Sequence, residues 1–333
     1  MSRKILILNT GGTLSSVAHE HGLSPGLRTD QMTEELRIVS GGAELVMEDF
    51  AAIDSANMFP EDWARLAAKI SEVRSAYDGV VVIHGTDTMA YTASMLSFML
   101  RNIGIPVVLT GSQLSIADPV ADAMENCRCA MCMAASGIPG VFLAFDRKVM
   151  LGCRASKTHT LDFNAFESIN YPYVAQISSL GMQVNRAVLP PRSGVFHLSN
   201  SWSDEVACLR LYPGIRPAAL ERAAEDCRAI YVEGFGLGGV PFLNRDIASL
   251  LGTLVSRGVA VLLGTQCRYE GSNLSVYETG RRALDAGVMQ AYDMTCEAAM
   301  TKLMWVLGQT ADPGEIREYF SLSLCGEVTP YRP

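Results

Sequence analysis

The sequence lacks the long apolar runs, the basic clusters and the evenly paired cysteines that mark several large classes of protein. Its longest apolar runs, such as residues 80–83, are far shorter than the roughly 18 residues of a membrane-spanning helix, so we expect no membrane partner. The net charge is −8 and no stretch concentrates Lys or Arg, which disfavours nucleic acid as a partner. The nine cysteines are an odd count, which favours free thiols and a reducing, cytoplasmic location.

What the chain does have is a regular alternation of short apolar runs and helical patterns. Residues 4–8, 80–83 and 106–109 are continuously apolar, as is typical of strands buried on both faces. Between the first two, Pro60 and the acids after it predict a helix start, and an apolar stripe at helical spacing follows up to Val73. Strands of this kind separated by helices predict a parallel sheet covered on both sides.

A second series of strand-like runs follows the proline-rich stretch at Pro190. These runs are residues 209–212, 229–232 and 259–263. We therefore predict an α/β protein with a larger N-terminal parallel-sheet sandwich domain over residues 1–190 and a smaller C-terminal α/β domain over residues 206–333. Residues 191–205 are predicted to be the linker.

Polar residues follow successive strand ends in the first half of the chain. They are residues 9–13, 54–55, 84–89 and 110–113. Ligands of open α/β sheets bind beyond the carboxyl ends of the strands, so we expect a polar pocket at this edge. Glycines let backbone N–H groups approach a ligand, and N–H groups at helix starts favour carboxylates. The pattern indicates a small anionic or zwitterionic substrate.

The usual hydrolase nucleophiles are absent or poorly placed. There is no Gly-x-Ser-x-Gly elbow, and only His84 of the five histidines follows a strand. No His/Cys grouping has zinc spacing, so we expect neither metal nor cofactor. Cys127, Cys129 and Cys132 would point to different faces of a helix, which favours buried free thiols. A threonine activated by a neighbouring base and a lysine remains.

Several segments along the chain carry a resemblance to a known family. They are residues 9–14, 53–58, 84–94, 106–113, 155–157, 293–297 and 326–330. Together they resemble the bacterial asparaginase/glutaminase family, and most closely its cytoplasmic type I branch. The resemblance implies hydrolysis of L-asparagine to L-aspartate and ammonia, without a cofactor, by a cytoplasmic homodimer or homotetramer acting on a small-molecule amide.

The resemblance also assigns catalytic roles to residues of this sequence. It implies that Thr13 attacks the side-chain amide carbon and forms an acyl-enzyme. Thr86, Asp87 and Lys157 would form a polar triad in which the lysine moves a proton through Thr86.

Substrate binding is implied by the same resemblance. Asp87 would hold the α-ammonium group of the substrate, and Ser55, with backbone groups near Asp54, would hold the α-carboxylate. Backbone N–H groups near Gly12 and Thr86 would form the oxyanion site.

One departure from the family concerns the loop after the first signature, which usually carries a tyrosine that helps to activate the nucleophile. The sequence has no tyrosine before Tyr77, and Leu23 stands about where it is expected. His19, His21 and Ser24 lie in the same loop and are candidates to replace it.

A second departure concerns regulation. Some type I relatives have a second asparagine site that couples subunits, and the matching region here includes Glu233, Thr265 and Cys267. Glu233 stands where a basic residue would hold the carboxylate of the effector. Because two carboxylates repel one another, we predict weak or absent regulation by asparagine.

Other functions stay open. Gly234, Gly236 and Gly239 match the pattern of a dinucleotide-binding oxidoreductase, but the next strand ends at Thr265 without the acid that would hold the ribose. A subunit that releases ammonia for a tRNA-dependent amidotransferase is expected to carry an extra domain before the first signature, which begins here at residue 9. The third alternative is an asparaginase-like protein with low turnover or another amide substrate, such as glutamine or D-asparagine.

Overall fold

The structure, a computed structural model, describes residues 2–19, 22–25 and 29–329, and for residues 15–31 only the backbone elements are described. The chain divides into two compact units, Met1–Asn200 and Ser201–Pro333. Across the described ranges, no helix has both the length and the apolar character needed to cross a membrane.

The first unit contains twelve strands and four α-helices in its described part. The strands are β1 Lys4–Asn9, β2 Ser16–His19, β3 Gly22–Pro25, β4 Glu44–Asp49, β5 Gly79–Ile83, β6 Pro106–Thr110, β7 Gly140–Phe145, β8 Lys148–Leu151, β9 Ala155–Lys157, β10 Phe166–Ser168, β11 Ala175–Ser178 and β12 Gly181–Val184. The helices are α1 Thr29–Arg37, α2 Pro60–Val73, α3 Met89–Met99 and α4 Ala123–Ala134. Helix α2 begins at Pro60, as predicted.

One eight-stranded sheet organises this unit, in the order β12-β11-β8-β7-β6-β5-β1-β4. Strands β4, β1, β5, β6 and β7 are mutually parallel, so their carboxyl ends meet at one edge. Strands β5 and β6 are buried along their whole length, which explains their continuous apolar sequences. The predicted α/β class, with a larger N-terminal sheet domain and a smaller C-terminal domain, is confirmed.

The sheet also has an antiparallel part, at its β8, β11 and β12 end, which the apolar runs of the sequence did not predict. Strands β7 and β8 form an antiparallel hairpin, and β11 and β12 extend it antiparallel. The hairpin turns at Asp146 and Arg147, whose φ angles are 46° and 59°. Such turns are usually signalled by Asn-Gly or Asp-Gly, so this pair gave no clear hairpin signal.

The strand predicted to end before Asp54 is also placed differently. Strand β4 ends at Asp49, and the N–H groups of Phe50 and Ala51 both donate to the Asn9 carbonyl, at 2.8 and 3.1 Å. Residues 50–53 thus run beside the end of β1 as irregular chain. Strand β4 lies at the sheet edge and is only partly buried, so its apolar pattern is short.

Helix α3 is the most deeply buried helix of the first unit's described part. All of its residues except Tyr91 are buried, including Thr92, Ser94 and Ser97. A helix that is apolar around its whole circumference packs inside a protein. It follows directly after the loop at residues 84–88, so it anchors that loop to the core.

The second unit has a parallel four-stranded sheet in the order β13-β14-β15-β16. Its elements are β13 Val206–Arg210, α5 Pro217–Ala223, β14 Ala229–Gly234, α6 Ile247–Ser256, β15 Ala260–Thr265, α7 Glu278–Asp285, β16 Met289–Gln290, α8 Cys296–Gln309 and α9 Pro313–Ser321. The structure places β13 a few residues before the run predicted at 209–212. Asp312 caps α9 by accepting the N–H of Glu315 at 2.9 Å.

A fully buried ion pair secures the end of this unit. Lys302 Nζ of α8 lies 2.6 Å from Glu327 Oε1, and both side chains have 0% exposure. Lys302 also donates to the Leu322 carbonyl at 2.8 Å, while Glu327 accepts the N–H groups of Leu324 and Cys325. Burial alone would raise the pKa of Glu327, but the Lys302 ammonium and these N–H donors together hold the pKa below its usual value.

Replacing Lys302 by Met should lower the free energy of unfolding by about 3–5 kcal/mol, because the Glu327 carboxylate is then buried without a counter-ion. The double variant Lys302→Met/Glu327→Gln should recover part of this loss. Guanidinium unfolding followed by tryptophan fluorescence measures both. Arg257→Met is the matched control: its ion pair with Glu221 is exposed, so the cost should stay within about 1 kcal/mol. Equal losses in Lys302→Met and Arg257→Met would contradict the role of the buried pair.

Candidate active site

The segment that carries Thr13 is fixed by hydrogen bonds at the end of β1. Asn9 Oδ1 accepts the N–H of Gly11 at 3.1 Å, and its Nδ2 donates to Asp49 at 3.0 Å. Thr10 Oγ1 donates to the Ile83 carbonyl of β5 at 2.8 Å. The chain then enters a single 3₁₀ turn that begins at Thr13, which is half-buried. The predicted nucleophile therefore lies on a loop that is tied to two neighbouring strands.

Glycines allow three strand-end segments to approach one another closely. Gly12 has φ +87°, and a Cβ there would lie 2.5 Å from the Cα of Gly85. A Cβ at Gly85 would in turn lie 2.6 Å from Ser55 Oγ. Both contacts are too short for any real side chain, so the glycines are required for the approach. They bring Gly12, Gly85 and Ser55 together, as the predicted pocket needs.

The segment with Asp54 and Ser55 is held by its own turn and by the next strand end. Asp54 is exposed, and its Oδ1 accepts the N–H of Ala56 at 2.9 Å, which caps a 3₁₀ turn over Ser55–Asn57. Ser55 is 3% exposed, and its carbonyl accepts the Thr88 hydroxyl at 2.7 Å. Asp54 thus acts in this structure as a cap, and Ser55 is the buried member of the pair.

Thr86, Asp87 and Lys157 form a hydrogen-bonded group. Lys157 Nζ donates to Thr86 Oγ1 at 2.7 Å and to Asp87 Oδ1 at 2.6 Å. Lys157 comes from strand β9, which pairs with β10, and its side chain is 17% exposed. Thr86 is 6% exposed, whereas the Asp87 side chain is 65% exposed. The group therefore presents a carboxylate to solvent and a shielded ammonium to a hydroxyl.

His84 is buried next to this group and fixes the backbone that carries it, but it is not a member of the group. Its Nδ1 lies 2.7 Å from the Gly85 carbonyl, which can only accept, so Nδ1 carries the proton. Nε2 then accepts the Thr92 hydroxyl at 2.9 Å, and Thr92 accepts the Trp63 indole N–H at 2.8 Å. Burial lowers the pKa of His84 to about 4, so the ring is neutral at pH 7. His84 is thus a structural histidine that fixes the residue before Thr86.

The residues of the predicted regulatory region lie in the second unit, at the ends of β14 and β15. Glu233 Oε2 lies 3.7 Å from Arg210 Nη1, and the Glu233 side chain is 14% exposed. The Thr265 hydroxyl donates to the Gly236 carbonyl and accepts the N–H of Cys267 at 3.0 Å. Glu233 therefore already has a cationic neighbour.

The glycine-rich segment of the second unit does not form a dinucleotide loop. The N–H of Gly239 donates back to the Phe235 carbonyl at 2.7 Å, which closes a tight turn. The next helix, α6, begins only at Ile247. A pyrophosphate site needs a helix start directly after the glycines, so this geometry argues against the oxidoreductase alternative.

Leu23, which stands where the loop tyrosine is expected, and the candidates His19 and Ser24 lie on the antiparallel strands β2 and β3, where Ala18 pairs with Leu23. Their side chains and the whole of His21 lie outside the described residues.

All nine cysteines are free thiols, as expected. Cys127 and Cys129 are buried, and burial raises the pKa of each thiol to about 12, whereas Cys132 is only partly buried. Within the described ranges, His, Cys, Asp and Glu form no group of three or more that could hold a metal ion.

Gln113 is predicted from the sequence only as one of the polar residues after a strand. In the structure its Oε1 lies 3.4 Å from Thr86 Oγ1, and its Nε2 donates to two backbone carbonyls of the loop after Lys157. The partners lie far away in the sequence, so only the position of Gln113 after a strand could have indicated its place.

Comparison with known proteins matches both units to one family. The model of the asparaginase N-terminal domain matches residues 4–189, and that of the glutaminase/asparaginase C-terminal domain matches residues 205–320. The chain is 43% identical to an L-asparaginase of Thermococcus kodakarensis, over 98% of this chain and 99% of the relative. The solved structure of the thermostable L-asparaginase from that organism superposes with a TM-score of 0.92, at 42% identity and with coverage of 98% and 99%.

Two further relatives are of different kinds, an L-asparaginase and a subunit of an amidotransferase. L-asparaginase 1 of Escherichia coli is 34% identical over 98% of both chains. One of the subunits of the glutamyl-tRNA(Gln) amidotransferase of Pyrococcus abyssi is 36% identical over 98% of this chain, which corresponds to 77% of the relative.

The neutral, buried state of His84 predicts a loss of stability in acid. The unfolded chain binds a proton near the ordinary pKa of 6.5, whereas the folded chain binds it only near pH 4. The free energy of unfolding should therefore fall by about 3 kcal/mol between these pH values from this group. His84→Gln should flatten the slope, measured by denaturant unfolding at each pH. The exposed His159, changed to Gln, should leave it unaltered; an unaltered slope in His84→Gln would contradict the assignment.

Proposed function

Because the chain belongs to the asparaginase family and is a hydrolase, we propose that it converts L-asparagine to L-aspartate and ammonia through an acyl-enzyme on Thr13. The observation that carries this proposal is the bond from the Lys157 ammonium to both Thr86 and Asp87. The contact between Gly12 and Gly85 supports it, because the Thr13 and Thr86 segments then lie side by side.

The charges at the site suit a zwitterionic amide. Asp87 offers an exposed carboxylate to the α-ammonium group of the substrate while it also pairs with Lys157. Ser55, which lies against Gly85, is suited to bind the α-carboxylate together with backbone N–H groups near Asp54. Backbone N–H groups near Gly12 and Thr86 would stabilise the developing oxyanion. Because the chain is acidic overall, substrate capture depends on these local groups.

The proposed reaction has two halves. Thr13 Oγ forms a bond to the amide carbon, the C–N bond breaks, and the leaving nitrogen departs as ammonia with the proton that Thr13 gave up. Thr86 relays the proton through its hydrogen bond with Lys157. Its hydroxyl accepts one proton and gives up another, so Thr86 itself is unchanged. Water then attacks the ester, which releases aspartate and restores the Thr13 hydroxyl. Lys157 is suited to the relay because little water competes for its ammonium group.

Relatives of two kinds make an ammonia-releasing component of an amidotransferase the second candidate. The Thermococcus L-asparaginase is 43% identical, and the match covers 99% of its length. The amidotransferase relative is 36% identical, and the match covers 77% of its length. This difference favours asparaginase activity over a role in an amidotransferase. We also propose that the protein is cytoplasmic, which agrees with its free thiols. It is proposed to form a homodimer or homotetramer.

Ammonia release from L-asparagine, L-glutamine and D-asparagine tests the substrate proposal directly. L-Asparagine should give the highest kcat/KM. A preference for another amide, or slow turnover of all three, would favour the alternative in which the absent loop tyrosine has altered the reaction. No ammonia from any of them would overturn the proposed function.

Thr13→Ala should lower kcat by about 10³-fold or more, because the covalent intermediate can no longer form. Denaturing the enzyme during turnover should show the mass of an aspartyl adduct on the wild-type chain and none on this variant. Thr253→Ala, an exposed helical threonine in the second unit, is the matched control and should keep full activity. Full activity in Thr13→Ala would eliminate Thr13 as the nucleophile.

Regulation by asparagine should be weak or absent, because the Glu233 carboxylate would repel the carboxylate of an effector. Initial rates should follow a hyperbola in asparagine, with a Hill coefficient close to one. A sigmoidal curve would require a second site coupled to the first and would contradict this prediction.

A further inference from the structure

The orientation of the Gln113 amide is fixed by what surrounds it. Nε2 lies 3.1 Å from the Thr160 carbonyl oxygen and 3.0 Å from that of Asp162. Carbonyl oxygens only accept hydrogen bonds, so the NH₂ end must face them. The reversed amide would set Oε1 against two other acceptors. Oε1 therefore faces the opposite way, towards Thr86 Oγ1 at 3.4 Å.

This orientation determines the direction of the Thr86 hydroxyl. The Lys157 ammonium has only protons to give, so Thr86 Oγ1 accepts from it. The single proton of Thr86 then points at an acceptor, and Gln113 Oε1 is within reach. At 3.4 Å the bond is longer than the usual 2.7–2.8 Å for two oxygens, so it is weak. It can orient the proton and still release it to a substrate atom.

A chain of hydrogen bonds holds the backbone of Gln113 in place. Asp122 Oδ1 accepts the Gln113 N–H at 3.0 Å, and Asn126 Nδ2 donates to Asp122 at 2.9 Å. Asn126 Oδ1 accepts the N–H of Asp146 at 2.8 Å, and the Asp146 carboxylate accepts from Lys148 Nζ at 2.8 Å. Asn126 is 1% exposed, so the central link of this chain is shielded from water.

The same chain returns to the side chain of Gln113 and closes a ring. Lys148 Nζ also donates to Asn164 Oδ1 at 2.7 Å, and the N–H of Asn164 donates to Asp162 Oδ1 at 2.9 Å. The carbonyl of Asp162 is one of the two acceptors of Gln113 Nε2. Both ends of Gln113 are therefore held, which preorganises its Oε1 beside Thr86.

We propose that Gln113 is a positioning residue that holds the Thr86 hydroxyl in the direction Lys157 → Thr86 → Gln113, ready for proton transfer. The inference rests on the proposed function, because Gln113 acts only through Thr86. During the reaction the Thr86 proton leaves Gln113 Oε1 for the departing nitrogen of the substrate, while Thr86 takes a proton from Lys157 and the proton given up by Thr13 restores the Lys157 ammonium. No bond forms to Gln113, and its amide is unchanged at the end of the cycle.

Gln113→Met keeps the length of the side chain but removes both the acceptor and the donor. We expect kcat to fall about 10- to 100-fold, a part of the 10²–10⁴ that acid–base catalysis contributes, with KM changed less than about twofold. Gln113→Glu keeps an oxygen that can accept from Thr86, but its second oxygen faces the carbonyls of Thr160 and Asp162, so it should recover part of the lost kcat. Melting temperatures establish that each variant is folded.

A double-mutant cycle separates positioning from general structural support. In a Thr86→Val background the Gln113→Met change should have no further effect on kcat, because the hydroxyl that Gln113 orients is gone. Asn164→Ala removes one acceptor of Lys148 and so opens the ring at a point away from Thr86. It leaves Gln113 Oε1 in place, so kcat should fall by no more than about threefold.

Several results would overturn the inference: a Gln113→Met enzyme within twofold of wild type, a fall confined to KM, the same fall in both Thr86 backgrounds, or a loss in Asn164→Ala that equals that of Gln113→Met. If Thr86→Val has no measurable rate, equal kcat values for the Met and Glu variants decide against it. A wild-type chain that releases no ammonia from any amide would overturn the proposed function, and this inference with it. An active wild type without the expected pattern overturns the inference alone.

Discussion

The close approach of the backbone at Gly12 to the backbone at Gly85 is the contact on which the candidate site depends. It needs a glycine on each side, because a Cβ at Gly12 would overlap Gly85 and a Cβ at Gly85 would overlap Ser55. The contact joins the loop after β1 to the loop after β5. With it, the proposed nucleophile on one loop and the proposed proton relay on the other become neighbours, and each loop is separately tied to the sheet.

Much of this site could be predicted from the sequence because its chemistry follows parallel strands directly. Thr13, Thr86 and Asp87 each come a few residues after a continuously apolar run, and the carboxyl ends of such strands meet at one edge. The catalytic roles of these residues, and both the place and the role of Lys157, come from the family resemblance. Gln113 was missed because its partners Thr160 and Asp162 lie 47 and 49 residues away, and no local pattern encodes a contact of that kind.

The fold was predicted where local pattern and tertiary structure agree. Strands β5 and β6 are buried on both faces and read as apolar runs, whereas the β7–β8 hairpin depends on positive φ angles at Asp146 and Arg147. Neither residue is a strong signal for such a turn. Both residues nevertheless adopt positive φ angles in this turn. Asp146 also takes part in the hydrogen-bond ring that holds Gln113.

The buried pair of Lys302 and Glu327 has a consequence for how the chain is made. The two residues are separated by 25 positions, so the lysine of α8 is synthesised before its carboxylate partner. During that time Lys302 cannot be buried without cost, since an unpaired ammonium is strongly disfavoured in the interior. Final packing of α8 therefore waits for Glu327, and premature termination before that residue would leave a helix whose interior face carries an unmatched charge.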